Sequence, residues 1–129
     1  MKKLLIIALL VTTTLTFSQN KNERASIEVD GVCTMCKARI EKAAIRTKGV
    51  KSAVWSVKTH ELSLIYDARK TNLDSIKSHV LGVGHDIMEL KATDEAYATV
   101  HPCCRYRDND VIDEHKDEKE DSDHDEDKH

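Results

Sequence analysis

The sequence GVCTMCKARIEKAAIRTKGV, residues 31–50, joins a pair of thiols to the pattern of an amphipathic helix. Cys33 and Cys36 lie three positions apart in a chain that has four cysteines. After them, small and apolar residues recur at the spacing of one helical face, and Gly49 then provides a stop signal. That face consists of Ile40, Ala43, Ala44 and Thr47. The pattern predicts a helix that begins near Thr34, with both thiols at its start.

On both sides of this helix, apolar residues alternate with polar ones and predict strands. A first strand contains Ile27 and Val29. Two further strands lie within residues 53–66 and are joined by a turn around Thr59 and His60.

A second helix and a short last strand complete the domain, which we predict to span residues 23–91. Thr71 and Asp74 have the spacing of a capping box at the start of this helix. DIMELK, residues 86–91, is long enough for one strand. The order strand, helix, strand, strand, helix, strand predicts an α+β ferredoxin-like βαββαβ sandwich. This fold has a four-stranded antiparallel sheet with two helices on one face.

The first 18 residues have the order of a secretory signal peptide. Lys2 and Lys3 precede the apolar stretch 4–11, and small residues surround the expected cleavage position after Ser18. A membrane span needs about 20 mostly apolar residues, whereas threonines interrupt this run. We therefore predict signal cleavage (1–18) and a soluble periplasmic protein with no membrane insertion afterwards.

The last residues, 108–129, are strongly acidic, with twelve Asp or Glu residues against three Lys residues. Such a composition predicts a disordered tail, because too little apolar surface is present to offset the ordering entropy. His115, His124 and His129 lie among these carboxylates. They either bind divalent ions weakly or belong to a tail that only increases solubility.

The thiol pair has the chemistry of a soft-metal site. The helix start favours thiolates through its backbone N–H groups and dipole, and Lys37 and Arg39 add positive charge. The pair is therefore predicted to be anionic near neutral pH. Two thiolates without a nearby carboxylate favour Cu(I), with Hg(II) or Zn(II) as alternatives, since structural zinc prefers four ligands. Cys33 and Cys36 are the predicted primary ligands.

The set of motifs resembles the heavy-metal-associated domain family, which includes copper chaperones, domains of copper-pumping P-type ATPases and periplasmic mercury-binding proteins. The resemblance covers residues 25–90 and rests on Gly31, Cys33, Cys36, RIEKA from Arg39, Gly49-Val50, Tyr66-Asp67 and Gly84. This chain has Gly31-Val32-Cys33 where the family usually has Gly-Met-x-Cys. The resemblance implies that a bound ion is passed to a metal transporter or efflux partner. It also makes His85 a candidate third ligand.

A second group of metal-binding residue types lies in an extension at residues 92–107. Cys103 and Cys104 are adjacent, and His101 precedes them by two positions. Adjacent cysteines pair with each other only in a strained ring, so each is expected to find another partner. Three arrangements remain open: a second soft-metal site, a four-sulfur site completed with the loop pair, or a disulfide that staples the extension.

These features predict an exported heavy-metal-binding protein for metal trafficking or detoxification. Paired acids, an activated serine and a phosphate loop are missing from the sequence, so we predict no enzymatic activity, and we predict no nucleic-acid partner. Two other functions remain open. One is a redox protein that cycles the loop thiols with Cys103 and Cys104, and the other is a metal-independent adaptor whose cysteines form structural disulfides.

Overall fold

The computed structural model describes residues 20–88 and 90–122, without the side chains of residues 117–122. The predicted signal peptide (1–18) and residues 123–129 lie outside the described residues. The elements in chain order are β1 (Glu23–Glu28), α1 (Thr34–Arg46), β2 (Val50–Trp55), β3 (Glu61–Tyr66), α2 (Leu73–Gly82), α3 (Asp94–Tyr97), a 3-10 helix (Pro102–Cys104) and α4 (Asn109–Ser122). Within the described ranges, none of the helices has the length and apolar character needed to cross a bilayer.

The sheet is antiparallel, and β3 lies between β1 and β2. Alternate side chains of the strands point to one face, where Trp55, Leu62 and Leu64 are buried. This face belongs to the same core cluster as the buried side chains of α1 and α2, so both helices pack against it. The α+β architecture and the two predicted helices are confirmed.

The prediction of a fourth strand at residues 86–91 is wrong, because the described part of the chain forms a three-stranded sheet. Ile87 makes a single bridge to Val29. It then exchanges backbone hydrogen bonds of 2.8 and 2.7 Å with Leu90, and Met88 between them has a φ of 45°. The chain thus reverses direction immediately after Ile87, which ends the pairing with the sheet.

Local hydrogen bonds explain where the helices begin and end. Gly49 has a φ of 99°, a left-handed conformation that favours glycine, and it leads from α1 into β2 as predicted. The cap of α2 is Asn72 and not Thr71, since the Asn72 side chain accepts a 2.8 Å hydrogen bond from the Ser75 N–H.

The extension packs onto the domain. Val100, Cys104 and Tyr106 belong to the core cluster. The acidic segment after it, for which disorder was predicted, forms α4 in its described residues. Val111 and Ile112 are partly buried against the core, and this one-sided apolar contact gives α4 a surface to pack on despite its charge.

Candidate metal centre

The loop that carries the first thiol pair lies directly against Trp55. A Cβ atom added to Gly31 would come within 2.9 Å of the Trp55 ring and 3.0 Å of the Cys36 Cβ atom. The Trp55 ring is itself fixed, because its Nε1–H donates a 3.0 Å hydrogen bond to the Val29 carbonyl. Glycine is therefore needed for the loop to approach the indole this closely.

Cys33 and Cys36 lie at the start of α1, as predicted. Cys33 is the N-cap residue, and its Sγ accepts the Cys36 backbone N–H at 3.5 Å. Cys36 is fully buried in the first turn, and the two Sγ atoms are 3.4 Å apart. The helix start thus holds both sulfurs on one side of the loop.

The extension brings its own cysteines to the same place. The 3-10 helix positions the Cys104 Sγ 3.2 Å from the Cys33 Sγ and 3.8 Å from the Cys103 Sγ. The sulfurs of Cys33, Cys103 and Cys104 all lie within 4.8 Å of one another, and all four cysteines are free thiols. A trigonal site with metal–sulfur bonds of about 2.3 Å needs sulfurs about 4 Å apart. The three sulfurs already have nearly that spacing.

The thiols of this cluster differ in how readily they ionise. Burial acts to raise the pKa of Cys33, but hydrogen bonds from the Cys36 N–H and from neighbouring thiols outweigh it and lower the pKa. Burial raises the pKa of Cys36, and burial together with the adjacent sulfurs raises that of Cys104 strongly. The lowered pKa of Cys33 agrees in direction with the predicted anionic thiol pair, whereas the raised pKa of Cys36 does not. A metal ion must displace the protons of the buried thiols.

The two predicted histidines have different surroundings. The His101 Nδ1 atom lies 3.1 Å from the Cys103 Sγ and caps the 3-10 helix. His85 is fully buried, donates from Nδ1 to the Asp30 carbonyl at 2.8 Å and stacks on Tyr106. Burial lowers the pKa of the His85 imidazole. Among the described residues, the cluster of possible ligands within 4.8 Å contains Cys33, Cys103 and Cys104 but not His85.

Three polar residues, which we call the latch, hold the extension on the domain: Asp86, Tyr106 and Arg107. The Arg107 guanidinium donates to both Asp86 carboxylate oxygens at 3.1 and 2.7 Å. The Tyr106 hydroxyl donates to the Gly84 carbonyl at 2.7 Å and accepts the Asp86 N–H at 2.9 Å. Burial acts to raise the pKa of Asp86, but the Arg107 hydrogen bonds outweigh it and lower the pKa.

Two residues lie near the thiols although the sequence analysis did not place them there: Met35 was not considered as a donor, and His115 was considered only as part of the acidic tail. The Met35 Sδ atom lies 3.4 Å from the Cys103 Sγ, and the His115 Nε2–H donates to the Cys103 carbonyl at 3.0 Å. The sequence could have indicated Met35, since a thioether between two thiols is a soft donor. It could not have indicated the position of His115, because that position depends on the packing of α4 against the domain.

An open cavity of about 310 Å³ reaches the thiols from the surface. It is lined by Val32, Cys33, Thr34, Met35, Val57, Cys103 and His115. Both halves of the cluster therefore face one cavity.

Comparison with known proteins supports the assignment of the domain. Residues 26–86 match the family model of the heavy-metal-associated domain. A zinc-transporting ATPase from Synechocystis sp. (strain ATCC 27184 / PCC 6803 / Kazusa) is 32% identical over 68 residues, which are 52% of this chain and 9% of the ATPase. The chain thus spans less than a tenth of that relative.

Two solved structures have a similar fold. The CopZ metallochaperone is 27% identical with a TM-score of 0.50, and the match covers 51% of this chain and 100% of CopZ. Oxidized MerP from Ralstonia metallidurans CH34 is 19% identical with a TM-score of 0.50, over 52% of this chain and 94% of MerP.

The residues matched to the family include Cys33 and Cys36 and end before the extension. The sequence match and the fold agree. The chain therefore contains a heavy-metal-associated domain at residues 26–86.

Proposed function

We propose that this chain binds Cu(I) through thiolates of both the loop and the extension, and that it acts in periplasmic metal trafficking or detoxification. One observation carries the proposal: three sulfurs from two distant segments lie within 4.8 Å of one another. Cys36 adds a fourth sulfur, 3.4 Å from Cys33. Bringing four thiols together has an electrostatic cost once they ionise, and a bound cation offsets that cost.

The choice of Cu(I) rests on the donor set. Soft thiolates select Cu(I), Zn(II) and related ions, and Cu(I) accepts two or three sulfur ligands where structural zinc usually takes four ligands. The three mutually close sulfurs fit a three-coordinate site. Zn(II) bound by all four sulfurs and Hg(II) bound by the loop pair are the competing outcomes.

A role in metal transfer is supported by the similarity to a metallochaperone and to a zinc-transporting ATPase. The division of the ligands between two segments supports it further, because a partner protein can replace the sulfurs one at a time. The partner we propose is a metal transporter or efflux protein. This function requires no catalytic residue, so we assign no enzymatic activity.

Export rests on the signal-like pattern of residues 1–18. Fractionation of expressing cells, followed by mass measurement of the protein, tests this part alone. We expect a periplasmic form that begins at Gln19. A full-length cytoplasmic form would contradict export without affecting the metal site.

The binding proposal is tested by titrating the reduced protein with Cu(I) and with Zn(II) against competing chelators. Two double variants separate the halves of the site: Cys33→Ser with Cys36→Ser, and Cys103→Ser with Cys104→Ser. Val54→Ser, an exposed substitution on the opposite face of the sheet, is the control.

We expect one tightly bound Cu(I) per chain, weakened by either double variant and unchanged in the control. Tight binding that survives loss of Cys103 and Cys104 would contradict the shared site. A site that needs all four sulfurs and prefers Zn(II) would contradict the choice of Cu(I).

Thiol–disulfide exchange is a second candidate, favoured by the position of Cys33 between two other thiols. The Cys33 Sγ lies 3.4 Å from that of Cys36 and 3.2 Å from that of Cys104, and its pKa is lowered. Metal-free protein that reduces a test disulfide with turnover would establish this function. Failure of Cys33→Ser to abolish that turnover would exclude Cys33 as the attacking thiol.

A further inference from the structure

Cys103 has two further donors next to it, an imidazole and a thioether. The His101 Nδ1 atom is 3.1 Å from the Cys103 Sγ, and the Met35 Sδ atom is 3.4 Å from it. Imidazole and thioether are both donors for Cu(I) and related ions. The Cys103 thiol therefore has an imidazole from the extension and a thioether from the thiol loop within 3.4 Å.

These donors are accessible, whereas the deeper thiols are not. Met35 is 48% exposed and His101 is exposed, while Cys36 and Cys104 are 0% and 1% exposed. Three-coordinate binding with bonds of about 2.0 to 2.3 Å needs donors about 3.5 to 4 Å apart. The distances of 3.1 and 3.4 Å to the Cys103 Sγ atom are a few tenths of an ångström shorter than that spacing. Small rotations of the exposed side chains are enough to lengthen them.

We propose that Met35, His101 and Cys103 form an outer metal site, where a soft cation binds first before it moves inward to Cys33 and Cys104. This inference rests on the proposed function, because it adds an access step to the same thiol cluster. It assigns Met35 as a metal ligand and gives His101 a role distinct from that of the buried thiols.

The cavity provides the path. Its lining contains the outer residues Met35 and Cys103 as well as the inner residue Cys33. The Cys103 and Cys104 sulfurs are 3.8 Å apart, and the Cys104 and Cys33 sulfurs are 3.2 Å apart. An ion held by Cys103 therefore reaches the next sulfur without leaving the protein.

The transfer is a ligand exchange without change of oxidation state. Cys103 stays bound as a thiolate while the neutral His101 and Met35 donors leave. The thiols of Cys104 and Cys33 take their places, and each loses its proton to water as its metal–sulfur bond forms. The inner site contains more thiolates than the outer one, so a monovalent cation is bound more tightly there.

Two substitutions at exposed positions test the outer site without disturbing the core. Met35→Leu keeps the size of the side chain and removes the thioether. His101→Asn removes the imidazole and keeps a side chain that can cap the 3-10 helix. Met88→Leu is the matched control, since Met88 is 63% exposed in a turn that contributes no described ligand to the cluster.

The first measurement is the rate of Cu(I) capture from a Cu(I)–bicinchoninate complex, by anaerobic stopped flow. We expect Met35→Leu and His101→Asn each to slow capture by about three- to tenfold, with final affinity changed by less than about twofold, because only the access step loses a ligand. Met88→Leu should capture at the native rate. Native rates in both test variants would overturn the outer site.

The second measurement locates the ion directly. In protein labelled with [methyl-¹³C]methionine, the double variant Cys33→Ser with Cys36→Ser lacks the loop ligands but keeps the outer donors. One equivalent of Cu(I) should shift the Met35 methyl signal and leave the Met88 signal in place. An unshifted Met35 signal would overturn the outer site.

The two proposals fail in different ways. Native protein that binds one Cu(I) tightly, but shows neither the rate effect nor the methyl shift, retains the shared thiol site and loses the outer one. Native protein without tight Cu(I) binding refutes the proposed function. A Met35 shift in the double variant would then still establish the outer donors as an independent weak site.

Discussion

The thiol loop (residues 31–36) and the extension (residues 92–107) supply the same chemical groups by different means. The loop thiols are positioned by the core, since Gly31 lies on Trp55 and Cys33 caps α1. The extension thiols are positioned by the latch, in which an ion pair and a tyrosine hydroxyl connect the extension to residues 84–86. One half of the site is therefore positioned by the core alone, and the other by the latch together with the buried Val100, Cys104 and Tyr106.

The difference also appears in the acidity of the thiols. Hydrogen bonds at the helix start lower the pKa of Cys33, whereas burial raises that of Cys104. Cys33 therefore ionises more readily than the two buried thiols, one in each segment, whose protons a cation must displace. Such a site favours ions that bind sulfur strongly enough to displace these protons.

The largest effect is expected when the buried extension thiol is removed. Cys104→Ala should weaken Cu(I) binding by more than about 100-fold, since loss of residues that only support a ligand already costs about 10- to 100-fold. Cys103→Ala should weaken it less, by about tenfold, because Cys103 is only half-buried and water can reach its place on the ion. Chelator competition measures both affinities, and circular dichroism checks folding. Equal losses in the two variants would contradict a division into inner and outer thiols.

The next largest effect is the loss of stability that we expect when the latch is broken. Arg107→Met removes the guanidinium from the Asp86 carboxylate, whose side chain is 7% exposed, and leaves it only the 2.7 Å hydrogen bond from the Ala92 N–H. We expect the free energy of unfolding to fall by about 2–3 kcal/mol, below the usual cost for a fully buried pair because the Arg107 side chain is 26% exposed. Urea denaturation measures the loss.

Two further variants test whether the unpaired charge of Asp86 causes this loss of stability. Arg105→Met changes an exposed arginine of the same segment and should leave the free energy of unfolding within about 0.5 kcal/mol of the native value. Asp86→Asn combined with Arg107→Met removes the unpaired charge and should recover part of the loss. A double variant less stable than Arg107→Met alone would show that the charge of Asp86 is not the cause.

A smaller loss is expected where the extension touches the domain backbone. Gly84 has a φ of 93°, and an added Cβ would lie 2.5 Å from the Ala96 carbonyl oxygen. Gly84→Ala should therefore destabilise the protein by about 1–3 kcal/mol, with the extension displaced. At Gly82, an added Cβ meets nothing within 4 Å, so Gly82→Ala should be neutral or stabilising by up to about 1 kcal/mol. Thermal unfolding of the two variants in parallel provides the measurement, and similar losses would exclude the steric explanation.

Most of the domain is predictable because its signals are local. The thiol loop, α1 and the β2–β3 hairpin follow from spacing within a few residues, and the structure has them where the pattern places them. The prediction of a fourth strand failed because of a contact with a residue that is distant in the sequence. The backbone N–H of Asp86 donates to the hydroxyl of Tyr106, and the chain reverses at Met88.

The site is predictable in its residue types but not in its assembly. The contact between Cys33 and Cys104 joins residues 71 positions apart, and no pattern in either segment fixes it. The helix α4 was missed because composition describes its charge, whereas its order depends on the contact of Val111 and Ile112 with the core. The latch was missed because its three members are ordinary polar residues until the fold brings them together.

The smallest expected effect is the change with pH in the contribution of the latch to the free energy of unfolding. The folded pKa of Asp86 is lowered from the ordinary value of 3.8, so the ion pair stabilises the fold fully above that value. The contribution is lost as the pH falls through the lower, folded pKa, because the carboxyl then takes up a proton and the attraction to Arg107 disappears. Between about pH 7 and pH 3, the difference in free energy of unfolding between the native protein and Arg107→Met should narrow by up to about 1 kcal/mol. The same comparison in an Asp86→Asn background should be flat with pH. A difference that narrows equally in that background would assign the pH dependence to groups outside the latch, and the extension would then be held mainly by the Tyr106 hydrogen bonds.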